Sequence, residues 1–165
     1  MTLLGKQRRK PADTRMQLHP IGAIRSRLKT LSKVPKQGHE GGPDAWLEVH
    51  PSFVDGLSGI AMGDRMIVVT WLHKARRDVL EVHPRDDKRV SMRGVFGTRS
   101  QDRPNPLGFH PVTVKRIAGH RLRIGPIEAI DGTPVVDIKP ALRRSADDRR
   151  PLRPSPGVRG TGRKR

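Results

Sequence analysis

The sequence contains no cysteine and no tyrosine, and aromatic residues make up only 3% of its 165 residues. Without cysteine the chain forms neither disulfide bonds nor thiolate metal sites, which suits a reducing cytoplasm, and we predict no metal site. Apolar residues reach only 33%, which is enough for one modest core. We therefore expect a single domain with long connections.

Long hydrophobic runs are also missing. No apolar stretch approaches the roughly 18 residues that a membrane span needs. The opening MTLLGKQRRK carries its charges after its few apolar residues, unlike a secretory signal. The sequence therefore predicts a cytoplasmic protein without a membrane segment.

Positive charge is in large excess, with 34 Lys and Arg against 16 Asp and Glu and a formal net charge of +18. Such an imbalance indicates an anionic partner, although a coding bias toward arginine is an alternative explanation. Much of the excess lies at the two ends, where few apolar residues are available to bury. We predict a disordered basic arm over residues 1–16, a folded domain over 17–142 and a disordered basic tail over 143–165.

Short runs with the two-residue period of β-strands recur along the folded part. They cover residues 17–26, 45–50, 66–73, 94–96 and 134–138, with two more on either side of Gly119-His120. The run 66–73, MIVVTWLH, is rich in β-branched residues and predicts a central strand, whereas Pro20 and Gly22 make 17–26 an edge or bulged strand. Only 51–60 predicts a short helical turn.

These patterns predict a mostly β protein, a small antiparallel β-barrel or sandwich. No segment supplies crossover helices, and no GxGxxG turn joins a strand to a helix, so we do not expect a Rossmann fold. A nucleotide-like cofactor would therefore need a binding site of another kind.

The segment 98–108, TRSQDRPNPLG, is the least regular part of the central region. Its two prolines fix their own backbone and restrict the residues before them, so the loop is stiff before anything binds. A stiff frame would present Arg99 and Arg103 to an anion at little entropic cost. The alternative is that the loop only closes a turn and its arginines pair with Asp102 or the surface.

Four motifs occur in order: PKQG at 35–38, the strand-ending His73, GVFGTRSQDRPNPLG at 94–108 and DGTPVVDIKP at 131–140. Together they resemble the TsaA-like family, also called YaeB-like or TrmO, of S-adenosylmethionine-dependent tRNA methyltransferases. The resemblance covers roughly residues 18–142. The two longer motifs are specific, whereas PKQ and a lone histidine are weak by themselves.

The resemblance implies a non-Rossmann β-barrel that works as a homodimer, with each cofactor site near the subunit junction. Its activity would be methylation of N6 of threonylcarbamoyladenosine at position 37 of tRNA, just 3′ of the anticodon. Matching the motifs residue by residue gives the cofactor-binding positions. They are Pro35, Lys36, Gln37, His73, Lys74, Arg99, Phe109, Asp131, Gly132 and Thr133.

The side chains at these positions suit the cofactor. Arg99 or Lys36 would hold its carboxylate, Asp131 would accept from its amine or ribose, and Phe109 or the adjacent backbone would cover its adenine. His73 can accept a proton near neutral pH, but a lone histidine at a strand end is more often structural. We therefore predict His73 as a binding residue and assign no catalytic residue.

The chain departs from the family pattern at three motif positions. Lys36 replaces an arginine, Lys74 replaces a glutamine, and Ala141 stands where a tyrosine usually follows DIKP. These changes affect the identity of the methyl acceptor more than cofactor binding. The alternatives are therefore a methyltransferase with a different acceptor and a non-catalytic RNA-binding barrel.

Two further pairs of residues have a functional and a plain interpretation. Trp46 and Trp71 can stack on RNA bases, but with so few aromatic residues we expect core filling, at least for Trp71. Asp137 and Lys139 can form an ion pair that orients the last strand, or an exposed pair worth little.

Overall fold

The structure, a computed structural model, describes residues 16–142. All of the predicted basic tail, and all but the last residue of the predicted arm, lie outside the described residues. Six strands form a closed antiparallel barrel. They are β1 Gly22–Arg25, β2 Ala45–Val49, β3 Arg65–Trp71, β6 Leu107–Ala118, β7 Arg121–Gly125 and β8 Pro134–Pro140. Around the barrel they lie in the order β1-β2-β7-β6-β3-β8. The predicted antiparallel β-barrel is thus confirmed.

The connections hold the remaining regular structure. A two-stranded ribbon is formed by β4 Glu81–Val82 and β5 Arg93–Gly94. Short 3₁₀ turns occupy Leu31–Lys33, Gly38–Glu40, Pro51–Leu57, Pro84–Asp86 and Val95–Gly97. No helix in the part of the chain that the structure describes is long and apolar enough to cross a membrane.

The barrel interior is filled by alternate residues of each strand. In β2, Ala45, Leu47 and Val49 are buried while the side chains between them are partly exposed. Fully buried residues such as Leu47 each stabilise the fold by about 1.5–3 kcal/mol through loss of apolar surface from water. The two-residue period that identified these strands is therefore the pattern that builds the core.

Three local predictions were wrong because closure and long-range pairing override local pattern. The first strand is no edge, since β1 pairs with both β2 and β8. The segment 94–96 does not begin a strand but enters a 3₁₀ turn after β5. Trp71 does not fill the core: it is only partly buried, on the outside of β3, with the Arg77 guanidinium 5.1 Å from its ring centre.

The strand directions bring three long connections to one end of the barrel, called here the loop end. Arg25 ends β1 there, and Ala45 begins β2 opposite Ile124 near the end of β7. Trp71 at the end of β3 pairs with Leu107 at the start of β6. The connections 26–44, 72–106 and 126–133 therefore leave from the same rim.

Candidate functional site

The first and middle connections are tied together by ion pairs. Lys36, in the PKQG segment, pairs with Asp86. A second pair joins Arg85 to Glu40, 3.2 Å between Nη2 and Oε1. Both pairs are solvent-exposed, so each contributes little to stability, but together they show that the two connections lie side by side.

The first and last connections are joined through Asp131 of the DGT segment. Its Oδ1 accepts a hydrogen bond from the Ser26 backbone N–H at 3.0 Å, and its Oδ2 lies 2.8 Å from Lys29 Nζ. The hydrogen bond from Lys29 and that from the Ser26 backbone hold the pKa of Asp131 below its ordinary value. Asp131 is therefore ionised and already engaged with the neighbouring loop.

The PKQG segment packs directly on the last connection. A Cβ on Gly38 would stand 2.8 Å from Glu128 Oε2 and from the Pro126 carbonyl oxygen. Only glycine permits this approach, because the Pro126 backbone cannot move aside to make room for a side chain. Pro35 and Gln37 are half-buried beside it, and Gln37 uses its side-chain amide to donate to the Lys36 carbonyl.

The segment 98–108, called here the arginine loop, contains two arginines that make different contacts. Arg103 turns into its own loop and donates to the carbonyls of Ser100, Val95 and Thr98, at 2.8, 3.1 and 2.7 Å. Arg99 is exposed and makes no ion pair with any residue in the range 16–142. Arg103 therefore shapes the loop, and Arg99 is the arginine that the loop presents.

Asp102 has a structural role in the same loop. Its carboxylate accepts from the Arg76 backbone N–H at 2.9 Å and from Arg76 Nε at 3.1 Å, while Arg103 N donates to the Arg76 carbonyl at 3.0 Å. These bonds fasten the arginine loop to the segment that follows β3. The alternative that the loop's own arginines pair with Asp102 is not what the structure contains.

A chain of buried polar side chains runs from the barrel core to the loop end. Thr70 Oγ1 lies 2.8 Å from His110 Nε2, and both residues are buried. His110 Nδ1 in turn lies 2.9 Å from Glu128 Oε1. The two groups are in contact, although the geometry is not that of an aligned hydrogen bond.

Glu128 is the acidic group at the centre of the loop end. Burial raises the pKa of Glu128, but contact with His110 and the nearby charge of Arg99 outweigh burial and hold the pKa below its ordinary value. The carboxylate is therefore negative. Its other oxygen, Oε2, faces Gly38 of the first connection. The same carboxylate also interacts electrostatically with Arg99 of the middle connection.

His73 follows β3 at the same rim. Its Nδ1 is buried and has no hydrogen-bond partner among the residues that the structure describes. A buried polar atom without a partner is costly, which makes this nitrogen a candidate ligand contact. Lys74 next to it is exposed.

The remaining predicted positions lie at the edge of the group. Gly132 has a left-handed φ of 78° and donates its N–H to Ile24. Thr133 is buried, and its hydroxyl donates to the Ile130 carbonyl at 2.7 Å. Phe109 points outward from β6 with 53% of its surface exposed, on the outside of the barrel wall and not among the loops.

The residues brought together at the loop end thus include most predicted positions and three that the sequence interpretation missed. The missed ones are Thr70, His110 and Glu128. One signal was available for His110: the alternation that places Val112 and Val114 inside also places His110 inside, where it needs a polar partner. Nothing local in IEAID identifies Glu128 as that partner.

Two open clefts lie elsewhere, on the barrel wall. One of about 380 Å³ is lined by Arg25, Glu48, His50 and His120 among others, and its charged residues are of both signs. The buried polar groups and the unpartnered nitrogen converge at the loop end instead.

Comparison with known proteins gives consistent matches. Residues 23–147 match the family described as tRNA-methyltransferase O N-terminal domain. A "probable S-adenosyl-L-methionine-binding protein" of Archaeoglobus fulgidus is 46% identical over 125 residues, which are 76% of this chain and 34% of that protein. A protein of the same description from Methanothermobacter thermautotrophicus is 38% identical over 129 residues, 78% of this chain and 92% of that one.

Solved structures show the same fold. The crystal structure of TrmO from Pseudomonas aeruginosa superposes with a TM-score of 0.62 at 30% identity, covering 78% of this chain and 56% of that one. This chain therefore spans about a third of the first relative and just over half of the solved structure.

Proposed function

This chain belongs to the tRNA-methyltransferase O N-terminal domain family, and on that premise we propose that it is an S-adenosylmethionine-dependent tRNA methyltransferase. The family resemblance predicted from the four motifs is confirmed. The proposed acceptor is N6 of threonylcarbamoyladenosine at position 37 of tRNA, which would place the protein in the cytoplasm. The observation that carries the proposal is the convergence of all four motifs at one end of the barrel.

The charged groups of the loop end suit the amino-acid part of S-adenosylmethionine. That part is a zwitterion beside a cationic sulfur, so it needs one positive group and at least one negative group. Lys36 is paired with Asp86, whereas Arg99 has no ion pair within the described residues, so we assign Arg99 to the carboxylate. Glu128, ionised and fixed by His110, is the matching anion for the ammonium or sulfonium.

The roles of the other predicted positions follow from their existing contacts. Asp131 is held by Ser26 and Lys29, so it clamps the two loops together, and we assign its remaining lone pairs to the ligand. The backbone at Gly38 lies against Glu128 and Pro126 and provides a close-packed floor. His73 Nδ1, which lacks a partner, would contact the ligand directly.

The bound cofactor supplies an electrophilic methyl group. Transfer of that methyl group from sulfur to N6 of the acceptor would release the proton of N6. The residues of this chain hold the two reactants in line, which provides much of the rate acceleration. We assign His73, at the same rim, as the candidate to receive that proton.

We assign the outer face of β3 and β6 to a second copy of the chain. Three cross-strand pairs there are apolar: Ile67 with Pro111, Val69 with Phe109, and Trp71 with Leu107. Phe109 is 53% exposed in the single chain although its neighbours are apolar. A partner subunit on this face would cover Phe109 and bring it to the edge of the cofactor site.

A non-catalytic RNA-binding barrel is the second candidate. The absence of tyrosine and the presence of Ala141 after DIKP favour it, because a hydroxyl usual in the family is missing. It predicts RNA binding without methyl transfer.

Transfer of labelled methyl to RNA separates these functions. The protein is incubated with methyl-labelled S-adenosylmethionine and total tRNA from a strain that lacks this modification, and the RNA is digested to nucleosides. The proposal predicts label in N6-methylated threonylcarbamoyladenosine. Label in another nucleoside would change the acceptor, and no label despite cofactor binding would support the non-catalytic barrel.

A further inference from the structure

One wall of the barrel, called here the arginine wall, carries an excess of basic side chains, with Glu48 and Asp44 as acidic residues among them. It is formed by the outward side chains of β1, β2, β7 and β6. Strand register places Arg25 beside Trp46, Trp46 beside Arg123, and Arg123 beside Arg116. The members of the wall are Arg25, Trp46, Lys115, Arg116, Arg121 and Arg123.

A bulge in β6 concentrates the charge. Val114 pairs with Ile124 and Arg116 pairs with Arg123, so Lys115 is an extra residue in the strand. A β-bulge of this kind lets two consecutive side chains point to the same side. Lys115 and Arg116 are accordingly both exposed on the outer face.

Some basic side chains of the wall lie close enough to repel one another. Arg116 and Arg123 are directly opposite each other on neighbouring strands, an arrangement in which like charges repel. Asp44 is shared by Lys115 and Arg123, at 2.6 and 3.3 Å, and therefore cannot neutralise both. A surface that keeps uncompensated repulsion in the free protein is suited to an anion that relieves it.

Two of the arginines, Arg116 and Arg121, form no close ion pair within the described residues. Glu48 stands opposite Arg121 in the strand register, but its carboxylate is engaged by Arg25 at 2.7 Å. Arg121 lies over the ring of Trp46, 5.2 Å from its centre. A guanidinium in this position can move to a phosphate and leave the indole face open to a base.

The wall reaches the loop end. Arg25 is the last residue of β1 and directly precedes the first connection. Its charge also contributes to the low pKa of Asp131 in the DGT segment. A polyanion lying along the wall therefore passes beside the candidate cofactor site.

We propose that the arginine wall binds the sugar-phosphate backbone of RNA, with Trp46 stacking on an unpaired base next to the cofactor site. Alternating guanidinium groups and one half-exposed indole suit single-stranded or looped RNA, which offers phosphates and accessible base faces. The identity of the RNA as tRNA rests on the proposed function, whereas binding by the wall does not.

The test uses a fluorescein-labelled anticodon stem-loop RNA and fluorescence anisotropy at several salt concentrations. Arg116→Gln with Arg123→Gln should weaken binding roughly tenfold at low salt and reduce the salt slope by about 1.5, since two phosphate contacts are lost. Trp46→Ala should weaken binding roughly tenfold with the salt slope unchanged. The matched control is Arg65→Gln with Lys139→Gln, two exposed cations on β3 and β8, the two barrel strands that do not contribute to the wall.

A wall pair that behaves like the control pair would overturn the inference. So would preferential binding to phosphatidylserine vesicles over the RNA. Calorimetry with S-adenosylmethionine, together with circular dichroism, confirms that each variant is folded and binds cofactor like the unmodified chain. RNA binding that depends on the wall, without methyl transfer, would reject only the proposed methyltransferase function. Methyl transfer that is insensitive to the wall variants would reject only the proposed role of the wall in RNA binding.

Discussion

Glu128 Oε1 lies 2.9 Å from Nδ1 of the buried His110. This contact connects the barrel core to the loops, because His110 is held on its other side by Thr70 at 2.8 Å. The carboxylate is thereby fixed in one position before any ligand arrives. A charge fixed in advance loses little freedom on binding, which is the physical basis of a preorganised site.

Thr70→Val should destabilise the protein by about 1–3 kcal/mol, because it leaves His110 Nε2 buried without a partner. Thr113→Val is the matched control, since Thr113 lies on the outer face of β6 and is only partly buried. Urea denaturation gives both free energies of unfolding. Equal effects of the two substitutions would show that the buried contact contributes nothing.

The pH dependence of the free energy of unfolding should show that Glu128 is ionised in the folded protein at neutral pH. Its pKa in the folded protein lies below the ordinary 4.5, so its stabilising contribution is present above that value and is lost as pH falls through the folded pKa. The difference in unfolding free energy between the unmodified chain and Glu128→Gln should therefore be constant from pH 8 to 5 and shrink under acid conditions. A difference that disappears between pH 7 and 5 would indicate a raised pKa instead.

Gly38→Ala should damage the site by steric conflict. The added methyl would stand 2.8 Å from Glu128 Oε2 and from the Pro126 carbonyl, and overpacking of this kind costs about 1–3 kcal/mol. We expect lower stability and weaker S-adenosylmethionine binding. Gly56→Ala is the control, because nothing lies within 4 Å of its added methyl, and it should change neither quantity.

The two arginines of the arginine loop should respond differently to substitution. Arg103→Lys should lower the free energy of unfolding by about 1–3 kcal/mol, since an ammonium cannot reach the three carbonyls that the guanidinium contacts. Arg99→Lys, at an exposed position, should stay within about 0.5 kcal/mol. Thermal or urea unfolding of both variants decides this, and a larger loss for Arg99→Lys would reverse the assigned roles.

Local patterns were enough to predict most strands of the barrel. MIVVTWLH gives β3 through its β-branched residues and AWLEVH gives β2 through its alternation, both almost to the residue. The start of β6 was missed because Pro106 and Pro111 flank it and suggest a loop. Trp71 was misplaced because an apolar run does not reveal which of its residues face out.

The candidate site was only partly predictable for a related reason. The motif residues were identified by resemblance, and the barrel topology places them on one rim. Glu128 and His110 are 18 positions apart in sequence, and their contact depends on the pairing of whole strands. No local pattern reports such a contact.

Calorimetric titration with S-adenosylmethionine tests the central claim, that the loop end forms one cofactor site, most directly. The account predicts saturable binding by the unmodified chain, at least tenfold weaker binding by Arg99→Ala and by Glu128→Gln, and unchanged binding by Arg65→Gln, which lies at the end of β3 away from the loop end. Absence of saturable heat, or equal affinity in all four proteins, would contradict it.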